Sequence, residues 1–387
     1  MNGRYKINIL LLGTQMAVGG AQRVLLDQAD WFHAQGHRVA AAFFYDRDGL
    51  HQSWQKGRSY PLHNLEAFRP GAGPLNQMTY FLRGLRSLWR LLRIEHFDVI
   101  ETFTLHSNIP GMVLSWLAGV PVRMATHHGK VGNVSPWQEK LHLLVIGKFA
   151  SIIVAVSTEV RDRLTLAGIA SQRIIMIPNG IRISITSRTE GTKLRKSLGL
   201  RRSQIVLISV GRLVYQKAHS VLVNAMQVIV AQQQHVVLYI AGEGPLRHDL
   251  EQQIETLGLG NQIYLLGNRS DVAALLSISD IFVLPSRWEG LPMALLEAMG
   301  TGMPVVATQV EGVNEVLKQN IHGFLVPPED SDALVRALLE LINHHQLRIK
   351  MGREGRKRIE ESYTSDIMCE KYLNVMLDYT RSKNHAK

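Results

Sequence analysis

Cysteine is almost missing from this 387-residue chain, with Cys369 standing alone. A single cysteine excludes an internal disulfide framework and any multi-cysteine zinc site, and it suits a reducing compartment. No run approaches the roughly 18 consecutive apolar residues of a membrane-spanning helix. The nearest, 141–156, carries Lys148 and reads as a buried helix leading into a buried strand. No secretory leader is expected, because the apolar run after Arg4 and Lys6 ends at Gly13 without a small-residue cleavage site. The fingerprint GxGxxG is absent, as is GxxxxGK followed by Ser or Thr. The first absence disfavours a nicotinamide oxidoreductase. There is no tandem repeat and no low-complexity tract.

What is present is an ordinary globular composition, 46% apolar and 19% charged. The length suggests two or three domains at roughly 150 residues each. The net charge of +11 is uneven. Residues 1–190 hold 21 Lys and Arg against 12 Asp and Glu, whereas the second half is nearly balanced. Such a field suits an anionic partner.

Short apolar runs alternate with helical periods. Residues 6–12, 38–45, 98–102, 122–126 and 151–156 read as strands, with helices at 22–34, 79–93 and 108–117. The pattern restarts after a stretch rich in Arg, Ser, Thr and Lys, and strand, glycine, helix then recurs at Gly211, Gly242 and Gly267. This predicts an α/β chain with two doubly wound parallel-sheet domains facing across a cleft. The expected divisions are 1–182, a linker at 183–203, and 204–360. A C-terminal helix at 361–387 is expected to pack back towards the first domain. Ligands in such sheets bind beyond the carboxyl ends of the strands.

The chemistry-bearing residues sit just after strands. Gly19 and Gly20 precede a helix, where glycine lets the backbone approach a phosphate, although a tight turn would also account for them. Gly211-Arg212 and Lys217 supply two cations, a set suited to a diphosphate; two solvated surface cations are the plainer reading. The strongest segment is SRWEGLPMALLEAMGTG, residues 286–302. Gly290 and Pro292 place Glu289 on a loop and Glu297 inside the following helix. The amides of Gly290, Leu291 and Met293 are then anion donors. Two exposed helix glutamates would account for Glu297, but not for the Gly-Leu-Pro insertion beside Glu289.

The ordered set GGAQ, GR…K, AGEGP, LG…DV, PS…EGLP…E, EG…E and GFLV resembles the retaining glycosyltransferases of the GT-B fold, and more narrowly their group 1 or family 4 branch. The likeness spans nearly the whole chain. It implies two Rossmann-like domains and a nucleotide diphosphate sugar as donor, a UDP-sugar being favoured. By that resemblance Arg212 and Lys217 hold the diphosphate, Glu297 the ribose and Glu289 the donor sugar. Gly290, Leu291 and Pro292 form the loop beside them, while Gly242, Glu243, Asn268 and Val272 border the base. Gly19 and Gly20 close on the phosphates as the domains approach. His128 aligns with a cleft histidine that binds the sugar or positions the acceptor hydroxyl, with His127 the alternate. His106 and His127 are candidates for the acceptor side; each could equally cap a loop. No metal or other cofactor is expected.

Three positions depart from the family pattern. Ala218 replaces the glycine after the phosphate lysine, a change that helical geometry tolerates. Arg182 replaces an acid after Asn179-Gly180, and Glu311 replaces the first of two glycines. A competing Asp46-Arg47-Asp48 motif, of the kind that holds a divalent ion, is read as a solvated turn.

From 80 to 94, Leu82, Leu85, Leu88, Trp89 and Leu92 form one stripe flanked by Arg83, Arg86, Arg90 and Arg93. A basic amphipathic helix with tryptophan suits a membrane surface. The expectation is a cytoplasmic glycosyltransferase, peripheral to the inner face of a membrane. Its acceptor would be a saccharide or lipid-linked saccharide in cell-surface polysaccharide or glycolipid synthesis, and it would have no nucleic-acid partner. The rivals are a nucleotide-sugar epimerase of the same fold and a polyanion-binding non-enzyme.

Overall fold

The structure is a computed structural model that describes residues 6–17, 19–128, 135–183, 188–201 and 203–385. It divides into two compact units, one of residues 1–179 with 365–387 and the other of residues 180–364.

The first unit runs β1 (Asn8–Met16), α1 (Gly20–Ala34), β2 (Arg38–Asp46), α2 (His51–Gln55), β3 (Leu62–Asn64) and α3 (Pro74–Glu95). It continues through β4 (Val99–Thr102), α4 (Leu105–Leu117), β5 (Val122–His127), α5 (Pro136–Phe149), β6 (Ile152–Ala155), α6 (Thr158–Leu166) and β7 (Ile174–Met176). Its seven strands lie in the order β3-β2-β1-β4-β5-β6-β7, every ladder parallel. β4 and β6 are buried at every position, as a sheet covered on both faces requires. Thr104 and Ser135 close capping boxes on α4 and α5. β1 runs four residues beyond the expected strand. Gly13 therefore lies within it, where a Cβ would stand 2.5 Å from the Phe43 ring.

The second unit holds α7 (Arg188–Ser197), β8 (Ile205–Val210), α8 (His219–Gln232), β9 (Val236–Ala241), α9 (Arg247–Thr256), β10 (Ile263–Gly267) and α10 (Val272–Ser277). There follow β11 (Ile281–Leu284), α11 (Met293–Gly300), β12 (Val305–Thr308), α12 (Glu311–Asn314), β13 (Gly323–Val326), α13 (Ser331–Asn343) and α14 (His345–Ser362). The six strands are ordered β10-β9-β8-β11-β12-β13. In both sheets the strand order reverses beside the first strand, between β1 and β4 and between β8 and β11. That is where a doubly wound sheet opens a crevice for ligand.

Four readings need correction. The expected linker at 183–203 contains α7, whose Arg195 donates to the Ile278 carbonyl at 2.7 Å; it was missed because its apolar residues are too few to show a period. Residues 184–187 and 202 of that stretch lie outside the described residues. The C-terminal helix, α15 (Ser365–His385), starts at 365 and not at 361, because α14 runs on to Ser362; it lies in the first unit, where Trp31 donates to Asp366 at 2.9 Å. The stripe on α3 is two faces. Leu88 and Leu92 are buried and Gly84 lies against Ala67, while Leu82 is exposed. α5 is not a buried helix either: His142, Val145 and Ile146 point inward, and Trp137, Leu141 and Leu144 are exposed. Among the described residues no helix is long and apolar enough to cross a membrane.

Candidate active site

In the second unit the candidates gather at the reversal point. β8 ends at Gly211-Arg212, and Lys217 follows on a short turn; β11 leads into the loop carrying Glu289. The two loops meet. Lys217 Nζ lies 2.6 Å from Glu289 Oε1 with both side chains largely buried, and Ser286 Oγ donates to the same oxygen at 2.6 Å. Thr308 Oγ1 donates to the Ser286 carbonyl. Gln216 donates from its side chain to Trp288 O at 2.9 Å, and the Arg287 amide donates to Gln216 O at 2.8 Å. Arg287 lies 3.8 Å from the Tyr215 ring centroid and pairs with Glu329. A buried pair of this kind is costly to break from one side, because the other charge is left desolvated.

Glycine sets the backbone spacing around the pair. A Cβ on Gly242 would stand 2.0 Å from the Gly211 carbonyl oxygen, and one on Gly312 would stand 1.7 Å from that of Gly290. The second glycine of the late motif is thus required, whereas Glu311 is exposed at the start of α12. Ala218 is not helical. It caps α8 with φ 49° and ψ 35°, in the left-handed region, where a Cβ is strained.

The remaining second-unit candidates surround this centre. Arg212 is exposed just past β8, and Gly290, Leu291 and Pro292 precede α11, which carries a half-buried Glu297. No side chain caps the first turn of α11. The Glu243 carboxylate pairs with Arg247, and its carbonyl accepts from Leu213 N at 2.9 Å. Asn268 is exposed, beside an Arg269–Asp271 ion pair at 2.7 Å, and Val272 opens α10. Sequence reasoning missed Ser286 as a partner of Glu289, although the PS…E spacing carried the signal.

In the first unit Gly19 is the extended N-cap of α1, Gly20 is its first residue, and no side chain caps that turn. Across the reversal point Thr14 and Thr104 share a hydrogen bond of 2.5 Å. His127 ends β5 and His128 follows it. The His128 ring stacks on Phe103, centroids 6.3 Å apart, and its Nε2 is buried without a partner among the described residues. Burial pushes the His128 pKa down to about 4 and that of His127 to about 3. Both are therefore neutral at pH 7, fit to accept or donate one hydrogen bond each. His106 is exposed on the first turn of α4.

The sequence reading overlooked His142, which packs 5.3 Å from the His127 ring and is also held neutral by burial, its pKa lowered to about 4. The Asn108 side-chain oxygen accepts from His142 Nε2 at 2.9 Å, while its amide donates to Thr102 Oγ1 at 2.6 Å. A lone histidine inside a helical period carries no local motif. Asp46 of the competing acidic motif accepts from the Leu50 and His51 amides at 2.9 and 2.8 Å, so it caps α2.

Residues 191–358 match the family model of the glycosyl transferases group 1, and residues 18–185 match that of glycosyltransferase family 4. A UDP-Gal:α-D-GlcNAc-diphosphoundecaprenol α-1,3-galactosyltransferase of Escherichia coli is 30% identical over 78% of this chain and 81% of its own. The chain belongs to the group 1 glycosyltransferases. An N-acetyl-α-D-glucosaminyl L-malate synthase of Bacillus anthracis is 25% identical over 76% of this chain and 78% of its own. The crystal structure of Anabaena HepE in complex with UDP-glucose superimposes with a TM-score of 0.84 at 23% identity, covering 96% of this chain and all of that one. The glycosyltransferase therefore has the GT-B fold, each of its units doubly wound.

Proposed function

We propose that this glycosyltransferase moves a hexosyl group from a UDP-sugar to a lipid-linked saccharide, with retention at the anomeric carbon, in cell-surface polysaccharide or glycolipid synthesis. The observation that carries the reading is the Lys217–Glu289 pair at the β8/β11 reversal point. It sets a cation and a carboxylate side by side where a doubly wound sheet receives a nucleotide. The printed donor and acceptor of the Escherichia coli relative, and the UDP-glucose held by HepE, support the choice of base and acceptor class.

In this reading Lys217 keeps Glu289 and offers its remaining protons to the diphosphate, joined by Arg212. Glu289, still held by Ser286, accepts hydroxyl protons of the donor sugar. Glu297 accepts from the ribose hydroxyls. The free amides at the start of α11 face the phosphate charge that grows as the glycosidic bond breaks. That phosphate oxygen takes the acceptor proton on the same face of the sugar. Arg212 and Lys217 supply the leaving-group charge that a metal would otherwise supply. In the first unit neutral His128 orients the acceptor hydroxyl, with His106 and His127 beside it. The acceptor is presented at the cytoplasmic face of a membrane.

A thermal-shift screen of UDP, GDP, ADP and CDP tests the donor. UDP is expected to stabilise the protein most, and a larger shift from another diphosphate overturns the base assignment. Glu289→Ala is expected to lower transfer by at least about 10²-fold while keeping the UDP shift. Wild-type turnover in that variant would sink the proposed site.

A further inference from the structure

Arg287 binds three loops of the second unit to one another. It stands between Ser286 and Trp288 on the loop from β11 to α11, with a side chain only 17% exposed. Its guanidinium lies 3.8 Å from the Tyr215 ring centroid and donates to the Tyr215 carbonyl. Its Nε donates to Glu329 Oε1, on the loop from β13 to α13. The backbone adds to this: the Arg287 amide donates to Gln216 O at 2.8 Å, and the Gln216 side chain donates to Trp288 O at 2.9 Å. Residues 215 and 216 are therefore clasped to residues 287 and 288. The next residue on one side of the clasp is Lys217, and the next on the other is Glu289.

Glu329 is a costly anchor for that arginine. It stands at φ 62°, in the left-handed region where an L-residue is strained. Pro327 and Pro328 precede it, and Asp330 after it caps α13 by accepting from the Ala333 amide at 2.8 Å. The backbone on both sides is thus fixed. The Glu329 side chain is 54% exposed, and an ion pair so open to water adds little stability. Glycine would occupy the position without the strain, so stability does not account for a glutamate there. What its carboxylate supplies is direction. Together with the Tyr215 ring and carbonyl, it pins the planar guanidinium in one orientation, which a flexible ammonium could not match. Backbone strain that the surroundings enforce beside a site points to a use in that site.

We propose that Arg287 is a positioning residue for sugar transfer: braced by Glu329, it holds the 215–217 turn on the Glu289 loop, so that Lys217 and Glu289 meet the donor in register. The part played in transfer rests on the donor-site reading; the clasp itself does not. The diphosphate and the sugar that Lys217 and Glu289 serve in that reading belong to one molecule, so the spacing of the two loops has to match it. A displacement of about 1 Å at such a place costs about 10²-fold in rate.

The test follows release of UDP from the UDP-hexose that the wild type turns over fastest, with UDP binding measured by calorimetry. Arg287→Met keeps an apolar side chain against Tyr215 and removes the fork. It is expected to lower kcat by about 10²-fold, with KM and the UDP dissociation constant within about threefold of the wild type. Added to Glu289→Ala it should lower the rate by less than about threefold further, because nothing is left for it to position. Glu329→Gly should keep or raise the thermal midpoint, since the strain is relieved, and yet lower kcat by about tenfold. Arg348→Met is the comparison: that arginine donates to the Leu341 and Ile342 carbonyls at the other end of α13, and its loss should lower the midpoint and leave kcat unchanged. Wild-type kcat in Arg287→Met overturns the proposal. So do losses that multiply in the double variant, and so does a Glu329→Gly variant with wild-type kcat. If the wild type neither binds UDP nor releases it, the donor reading fails and thermal midpoints alone judge the clasp. Arg287→Met and Glu289→Ala should then lose less together than the sum of their separate losses, and additive losses overturn it.

Discussion

In the second unit Lys217 and Ser286 each hold Glu289 Oε1 at 2.6 Å, on loops whose spacing is fixed by glycines that admit no Cβ. The first unit is built differently at the same point of its sheet. His128 Nε2, His142 Nδ1 and Glu101 Oε2 are buried without partners among the described residues. One unit has a polar centre that is already paired and rigid. The other keeps neutral titratable groups whose hydrogen-bonding capacity is open. A diphosphate sugar presents the same charges in the same places each time, so a preorganised site suits it. A saccharide acceptor offers hydroxyls whose positions vary, and neutral imidazoles can meet either a donor or an acceptor.

The strongest way to break this comparison is to disturb the glycine spacing on each side. In Gly312→Ala the new methyl meets the Gly290 carbonyl at 1.7 Å and the Glu289 carbonyl at 2.9 Å. Both are backbone atoms of the loop that positions Glu289, so they cannot turn away. Transfer is expected to fall by about 10²-fold or more, read as kcat/KM. In Gly13→Ala the methyl meets side chains instead, the edge of the Phe43 ring and Leu25 Cδ1. That overpacking should cost about 1–3 kcal/mol of stability and leave kcat nearly intact. Equal kinetic damage from both variants would mean that the two sites are equally rigid.

A second test uses pH. Burial lowers the pKa values of His127, His128 and His142 in the first unit to about 3, 4 and 4, and that of His219 in the second to about 3. Each binds a proton more readily when unfolded, so its stabilisation is present above pH 6.5 and is lost as pH falls towards 4. Glu101 has the opposite sign. Burial raises its pKa to about 8, against hydrogen bonds from Thr126 and Gln28 that favour the ionised form. Its stabilisation is present below pH 4.5 and is lost as pH rises through 8. Glu101→Gln should therefore gain on the wild type in thermal midpoint as pH rises from 5 to 8, by about 2–4 °C. A pH-independent difference would show that Glu101 is already ionised in the folded chain.

The same contrast governs what could be read from residues alone. The second unit's site is punctuated locally: strand, glycine, cation; strand, proline, serine, glutamate. Gly211, Gly242, Lys217 and Glu289 fall at those marks, so each could be picked out locally, although the contacts that join them span 31 to 72 residues. In the first unit the deciding facts are tertiary. Leu82 and Leu88 belong to one apolar helix, and only packing shows that Leu88 faces the sheet and Leu82 faces outward. Glu101 sits in the apolar strand VIET and His142 in an ordinary helical period, so neither announces its burial. α7 was missed for the complementary reason, too little apolar residue to show a face.

Ala218 gives the smallest predicted effect and the sharpest check on that local reading. The motif led to an expectation of helical geometry, but the residue stands at φ 49° as the N-cap of α8, immediately after Lys217. An L-residue in this region costs about 1–2 kcal/mol. Replacing it with glycine removes that strain but forfeits one buried methyl, about 0.8 kcal/mol, and adds freedom to the unfolded chain. The terms nearly cancel, leaving Ala218→Gly within about 0.8 kcal/mol of the wild type in either direction. Ala218→Val keeps the positive φ and adds a branched side chain in a site only 2% exposed, so it should lose well over about 1 kcal/mol. A glycine variant less stable than the wild type would mean that packing of this methyl, and not backbone strain, decides the residue behind Lys217.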